Sequence, residues 1–219
     1  SAPNASPPKP RLAPLFLRTD GCLRLLPVNV DVTGQSDAPL REAMRAVAGG
    51  ERQAFRTVAE ALEPRLDRFY SQFGVPEADR DDLFQETCIR LYRAAASYDA
   101  QRPFMPWALT VARRVMLNWH RTLKPTVPLD EARDVADDGQ RQPVARAESD
   151  LWRFAQDRLP TADHELLWLR YGEDLEPSEI AAVTGRTAVH VRVLLHRARG
   201  ALIRALEKAG EFDRLMAMR

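Results

Sequence analysis

A polar stretch from Thr126 to about Ala147 limits the folds that are open to this chain. The stretch is acidic and contains Pro128, Gly139 and Pro143, a composition that cannot supply a hydrophobic core. On both sides of it, apolar residues recur at spacings of three and four, which is the period of an amphipathic α-helix. The sequence therefore predicts an all-α protein with two helical domains, residues 38–124 and 148–219, joined by a flexible acidic linker at residues 125–147.

Composition excludes several other classes of protein. The chain has 219 residues, of which 45% are hydrophobic and 29% charged, so it has enough apolar material for packed domains. No apolar run is long enough to span a membrane and no signal peptide is evident, so we expect a cytoplasmic protein without membrane insertion. Cys22 and Cys88 stand in no metal-binding or disulfide pattern, and we predict no metal and no cofactor.

Residues 1–37 form an N-terminal extension in this interpretation. Within it only Leu15 to Val32 alternates as a strand does, with Asp20-Gly21 as a turn, so a small hairpin and an extended or disordered chain are both open. The first domain is expected to hold four helices, beginning near Ala38, Gln53, Asp79 and Phe104. In the second domain helices are expected over 148–158, 161–171, 177–183 and 188–209, with Thr161 and Ser178 as caps.

Charge is distributed unevenly although the formal net charge is only +1. Five acids and one base lie between Glu77 and Glu86, whereas five bases and no acid lie between Arg102 and Lys124. Two neighbouring helices are thus predicted to carry opposite fields. The acidic helix suits a basic protein surface, and the basic helix, which also carries aromatic residues, suits unstacked single-stranded nucleic acid.

The strongest local motif is PSEIAAVTGRTAVHVRVLLHRARGAL, from Pro177 to Leu202. It reads as a short helix, a turn at Gly185 and a longer helix, which is a helix-turn-helix. The second helix offers cationic and polar side chains suited to phosphates and base edges in a major groove. The alternative is an ordinary solvated helical face in a bundle.

These segments together resemble the extracytoplasmic-function (ECF) sigma factors, the smallest type in the sigma-70 family. DRDDLFQETCIRLY at Asp79–Tyr92 is similar to the family's polymerase-docking region, and RPFMPWALTVARRVMLNWHR at Arg102–Arg121 to its promoter-melting region. The stretch from Leu159-Pro160 to Arg199 is similar to its second domain. The resemblance implies a sigma factor, not an enzyme, that binds core RNA polymerase at the beta-prime clamp helices and the beta flap. It also implies binding to promoter DNA and inhibition by an anti-sigma factor.

The resemblance and the residue pattern together define three candidate sites. Polymerase binding is assigned to Asp81, Asp82, Leu83, Gln85, Glu86 and Arg90. Binding of the melted −10 element is assigned to Tyr98, Arg102, Arg113, Arg114, Asn118, Trp119, His120 and Arg121. Binding of the −35 element is assigned to Arg186, Thr187, His190, Arg192, Val193 and Arg197.

Departures from the family pattern and rival functions stay open at this point. Arg114 stands where many relatives have Asn, and Val193-Leu194 replaces the usual Ser-Arg pair, so the DNA sequence read by each helix is uncertain. A free-standing helix-turn-helix regulator would bind duplex DNA without polymerase. A carboxylate enzyme would hold magnesium at Asp81, Asp82 and Glu86, but no second acidic cluster or phosphate-binding glycine loop accompanies them.

Overall fold

The computed structural model describes the backbone of residues 15–19, 22–26, 37–123 and 143–211, with side chains described over 37–123 and 150–211. Strand β1, Leu15–Thr19, pairs antiparallel with β2, Cys22–Leu26, so that Leu15 lies opposite Leu26 and Thr19 opposite Cys22. Of the two possibilities for the N-terminal extension, the described part is therefore a hairpin. Residues 124–142, most of the predicted linker, lie outside the described residues.

Helices make up the rest of the regular structure in the described residues, which confirms the predicted all-α class for the two groups of helices. The first group is α1 (Ala38–Ala48), α2 (Phe55–Gln72), α3 (Glu77–Arg93) and α4 (Phe104–Thr122). The second group is α5 (Pro143–Arg158), α6 (Thr161–Leu167), α7 (Pro177–Thr184) and α8 (Ala188–Ala209). Helix α6 continues as a short π-helix over Trp168–Gly172.

Three local predictions in the second group need correction. Helix α5 begins at Pro143, five residues before the expected start at position 148, because proline is well suited to the first turn of a helix. Thr161 and Ser178 lie inside their helices and are not caps, since Pro160 and Glu176 occupy the N-cap positions. Glu176 and Glu179 form a reciprocal capping box around the first turn of α7.

A continuous apolar core holds α1–α4 together and fixes the faces of α3 and α4 that remain exposed. Phe69 and Tyr70 of α2 are fully buried, and the Tyr70 hydroxyl lies 2.7 Å from the Thr87 hydroxyl of α3. The N-terminus of α4 is capped from a distance, because an Asp37 carboxylate oxygen accepts the Phe104 amide at 2.8 Å. These contacts leave the acidic side of α3 and one stripe of α4 facing outward.

The two groups of helices pack against each other through α4 and α7. Two ion pairs join them: Arg113 with Glu165, and Arg65 with the fully buried Glu173 at 3.1 Å. Burial raises the pKa of Glu173, and the guanidinium of Arg65 opposes that rise. The contact between the groups therefore combines apolar packing with paired buried charge.

Candidate functional site

The acidic side of α3 is exposed as predicted from its sequence. Asp81, Asp82 and Gln85 are exposed, whereas Glu86 is half-buried and accepts a hydrogen bond from Arg90 Nε at 2.6 Å. This ion pair, four residues apart on the helix, neutralises part of the charge that the sequence assigned to polymerase binding. Asp81 and Asp82 thus carry the free negative charge of this face.

Leu83, which the sequence also assigns to polymerase binding, does not lie on this exposed face. It is 5% exposed and packs in the core, because it lies on the opposite side of α3 from Gln85. Sequence reasoning missed Ile89 instead, which is 44% exposed and lies two turns after Asp82 on the same side. The helical period alone could have found it, since positions i, i+3 or i+4 and i+7 share a face.

Helix α4 presents an outward stripe of cationic and polar side chains. Arg114, Leu117, Asn118 and Arg121 are all exposed, and Leu117 and Asn118 each lie three or four residues from both arginines. The Arg121 guanidinium donates to the Asn118 side-chain oxygen at 3.4 Å and to the Leu117 carbonyl at 3.3 Å. A positive stripe with an exposed leucine suits an unstacked strand, whose phosphates are anionic and whose bases have apolar faces.

Arg113 is turned away from that stripe although it is adjacent to Arg114. Its guanidinium donates to both carboxylate oxygens of Glu165, at 2.6 Å from Nε and 3.1 Å from Nη2. The side chains are only 19% and 8% exposed, so a bidentate pair is held away from bulk water. In this conformation Arg113 does not face the surface to which the sequence assigned it.

The loop before α4 holds its aromatic residues against one another. The Tyr98 ring lies 4.5 Å from the Trp107 ring and its hydroxyl donates to the Arg102 carbonyl at 2.8 Å. Burial, and next the charge of Asp37, raises the pKa of Tyr98 to about 12. Trp107 packs on the core as predicted, and the side chain of Arg102 is exposed beside Asp99.

Trp119 and His120 lie side by side near the end of α4, at the edge of the core. Their ring centroids are 4.8 Å apart, and His120 Nε2 lies 3.2 Å from the Phe73 carbonyl oxygen. Both side chains are half-buried, so each has a packing role in addition to any contact with a strand.

The helix-turn-helix predicted from Pro177 to Leu202 is formed by α7 and α8. Gly185 has a φ of +71°, the left-handed conformation that the turn requires, and Arg186 N donates to the Ala181 carbonyl. Thr187 caps α8, because its hydroxyl accepts the His190 amide at 3.3 Å. The buried positions Val191, Leu195 and Ala198 fix the rotation of α8.

The residues assigned to −35 binding lie on α8 or at the turn before it. Most of them are exposed, whereas Arg186 and Thr187 also have structural surroundings that limit their roles. His190, Arg192, Val193 and Arg197 are exposed along α8, and Arg186 is half-buried at the turn. Thr187 uses its hydroxyl as a cap, so its first role is structural. Val189 was not singled out from the sequence, yet it is 67% exposed beside this cationic surface.

The described residues do not form a metal site. No group of three or more His, Cys, Asp or Glu side chains is placed to hold a metal ion within residues 37–123 and 150–211. Burial raises the pKa of the Cys88 thiol to about 11, so this half-buried cysteine is a packed thiol. No helix in the described part of the chain is long and apolar enough to cross a membrane.

Comparison with known proteins matches both groups of helices. The family model described as Sigma-70 region 2 matches residues 58–126, and that described as Sigma-70, region 4 matches residues 153–202. The ECF RNA polymerase sigma factor SigD of Mycobacterium tuberculosis is 31% identical over 206 residues, covering 88% of this chain and 96% of that protein. The chain belongs to the ECF sigma factors of the sigma-70 family. As a sigma factor it directs transcription initiation by RNA polymerase.

Further ECF relatives extend the likeness along most of the chain. The RNA polymerase sigma factor NccH of Alcaligenes xylosoxydans is 27% identical, covering 80% of this chain and 98% of the relative. A solved structure, that of CnrH in complex with the cytosolic domain of CnrY, has a TM-score of 0.60 at 26% identity. It covers 78% of this chain and 99% of the CnrH chain, so the sigma-factor fold spans both groups of helices.

Proposed function

We propose that this ECF sigma factor, itself without catalytic activity, uses three separate surfaces for polymerase, the melted −10 element and the −35 element. The proposal rests on one observation: an acidic face on α3 and cationic faces on α4 and α8 are exposed on different helices of one molecule. Opposite charges suit a basic protein surface on one side and nucleic acid on the other. Residues 38–124 and 148–219 would act as the two domains.

The polymerase surface is formed by Asp81, Asp82, Gln85 and Ile89 on α3. Carboxylates steer and orient the encounter with a basic partner, while an exposed isoleucine supplies the apolar contact that a stable interface needs at its centre. The beta-prime clamp helices are the part of core polymerase that this surface would meet. The beta flap would be contacted by the second domain.

Charge reversal tests this assignment directly. Asp82→Arg should weaken capture of core polymerase at least tenfold in a pull-down with purified enzyme, because a carboxylate is replaced by a like charge facing a basic partner. Glu60→Arg, which reverses an exposed acid on α2, is the matched control and should bind as the unchanged protein does. Equal capture by both variants would exclude α3 as the docking surface.

The melted −10 element would lie along Arg114, Leu117, Asn118 and Arg121 of α4. Cations would hold the strand backbone, and Leu117 with the partly exposed Trp119 would contact base faces. Arg114→Ala with Arg121→Ala should reduce permanganate reactivity of promoter thymines in the open complex without reducing polymerase capture. Arg153→Ala, which removes an exposed cation from α5, should leave the bubble intact.

The −35 element would be read by α8, with Arg192 and Arg197 exposed on it. An electrophoretic shift with the chain alone and with core polymerase separates this function from that of a free-standing regulator. Promoter-specific binding should require core polymerase.

An anti-sigma factor is proposed as a further partner, since the similar CnrH structure contains the cytosolic domain of CnrY. Co-purification of this chain from its native cells would identify such a partner.

A further inference from the structure

Two valines on α8 are exposed to solvent, and the orientation of the helix prevents them from packing in the protein core. Val189 is 67% exposed and Val193 45% exposed, and they lie one turn apart in the first half of the helix. Val191 and Leu195 are buried on the opposite side, so the rotation of α8 is fixed and the exposed pair cannot turn inward. A pair of exposed β-branched apolar residues on one helical face indicates a partner with apolar groups.

The surroundings of this pair define the charge of that partner. His190, Arg192, His196 and Arg197 are exposed around the valines. The helix has no acidic residue before Glu207, so the whole first half of α8 is neutral or cationic. The partner must therefore be anionic around its edge and apolar at the point where the valines meet it.

The major groove of B-DNA has both properties. Phosphates line its edges, and the C5-methyl group of thymine is the apolar group that a base pair presents on its floor. Apolar side chains are known to recognise thymine by this methyl group. Cytosine carries only a hydrogen atom at C5, and adenine and guanine present the N7 acceptor and an exocyclic polar group, with which a valine cannot hydrogen-bond.

We infer that Val189 and Val193 determine specificity in the upstream promoter element by contacting thymine methyl groups, while Arg192 and Arg197 contact phosphates or neighbouring base edges. This inference rests on the proposed function, because it needs α8 to enter the major groove. The Thr187 cap fixes the start of α8, two residues before Val189. Each methyl group that a valine covers should strengthen binding by about fourfold.

Deoxyuridine tests this contact because it differs from thymidine only by the missing methyl group. Duplexes with a randomised upstream element are first selected with the reconstituted holoenzyme. Each thymine in the selected element is then replaced singly by deoxyuridine, and holoenzyme affinity is measured at one fixed salt concentration. With the unchanged protein, at least one replacement should weaken binding by about fourfold.

Variants of the chain show which side chains make the contact. In Val189→Ala with Val193→Ala the penalty for deoxyuridine should disappear, and alanine preserves the helix at both positions. Arg204→Ala, which removes another exposed side chain of α8 three turns after Val193, should retain the full penalty. Circular dichroism should give the same helix content for all three proteins.

The outcomes separate this inference from the function on which it rests. If holoenzyme forms and initiates transcription but binds thymine and deoxyuridine duplexes equally, the methyl contact is excluded and the proposed function stands. If the valine variant keeps the penalty, other side chains read the methyl group and the inference is wrong. If core polymerase and the chain together select no upstream element, the proposed function fails as well.

Discussion

Asp37 lies at the boundary of the N-terminal extension, yet its side chain acts on α4. Its carboxylate accepts the Phe104 amide from 67 residues away in the sequence, and the Met105 amide at 3.5 Å. Asp37→Ala should lower the free energy of unfolding by about 1 kcal/mol, because the first amides of α4 lose their acceptor. Urea unfolding monitored by circular dichroism measures this change.

Two variants identify the cap as the cause. Asp37→Asn keeps an acceptor oxygen and should retain most of the stability, whereas Glu60→Ala removes an exposed acid of α2 and should have no effect. A loss in Asp37→Asn equal to that in Asp37→Ala would mean that charge, not hydrogen bonding, is what α4 needs.

His164 gives the folded chain a dependence on pH. It is 2% exposed between the rings of Phe73 and Trp152, and burial lowers its pKa from 6.5 to about 4. The imidazole therefore binds a proton more readily in the unfolded chain than in the folded chain. The free energy of unfolding consequently falls as the pH drops from 6.5 towards 4. Between pH 7 and pH 5 this group should remove about 2 kcal/mol of stability.

Replacement of the imidazole isolates this contribution. His164→Leu should lose about 2 kcal/mol less than the unchanged protein over the same pH interval, because leucine does not titrate. Leu166→Val changes another buried residue of α6, one that does not titrate, and should leave the shape of the pH profile unchanged. Parallel profiles for all three proteins would mean that His164 is as accessible to protons when folded as when unfolded.

At the scale of elements, the Arg113–Glu165 pair joins α4 to α6. Arg113→Gln leaves the carboxylate of Glu165 buried without its partner and should cost about 3 kcal/mol of unfolding free energy. Arg114→Gln changes the adjacent, exposed arginine and should cost nothing measurable. The comparison is sharp because the two positions differ in partner and burial but not in residue type.

A double-mutant cycle tests whether the cost comes from the unpaired charge. Arg113→Gln combined with Glu165→Gln should be less destabilised than the sum of the two single variants, since no lone ion is left buried. Additive costs would show that each side chain contributes through separate contacts.

Some elements could be predicted from sequence because their boundaries have local causes. Helix α8 spans Ala188–Ala209 as predicted, since Thr187 caps its start and Gly210 adopts a positive φ at its end. Helix α5 begins earlier than predicted, because the polar composition around Pro143 indicates a linker although proline is favoured in the first turn of a helix. The sequence gives no comparable local cue for the partner of Arg113, which lies 52 residues away and is found only by packing α4 on α6.

The whole molecule should unfold as one unit, because its two groups of helices share buried ion pairs and the Phe73–His164 contact. Far-ultraviolet circular dichroism and tryptophan fluorescence should give the same midpoint in urea. A variant with Trp107→Phe and Trp119→Phe reports only on Trp152 and Trp168 in the second group, and its two probes should also coincide. Separate midpoints would mean that the groups unfold independently.

The general architecture was predictable, whereas the surfaces were predictable only in part. Helical periodicity and the polar stretch after Lys124 suffice for two groups of helices, and charge patterning places the acidic and basic faces. Leu83 is buried and Ile89 is exposed although both belong to the same contiguous motif, because a helix exposes only some of its positions. The side-chain partner of Glu86, an arginine four residues on, follows from the same period.

The bidentate ion pair between Arg113 and Glu165 has to break before Arg113 can bind nucleic acid through the same nitrogen atoms. The planar guanidinium has Nε and Nη2 already occupied, so a strand phosphate approaching along that edge must first displace the carboxylate. Displacement breaks one of the two ion pairs between the groups of helices and leaves the buried Glu165 side chain without this partner. Engagement of Arg113 by nucleic acid would thus be coupled to the loss of this ion pair, and part of the binding free energy for the strand would offset that loss.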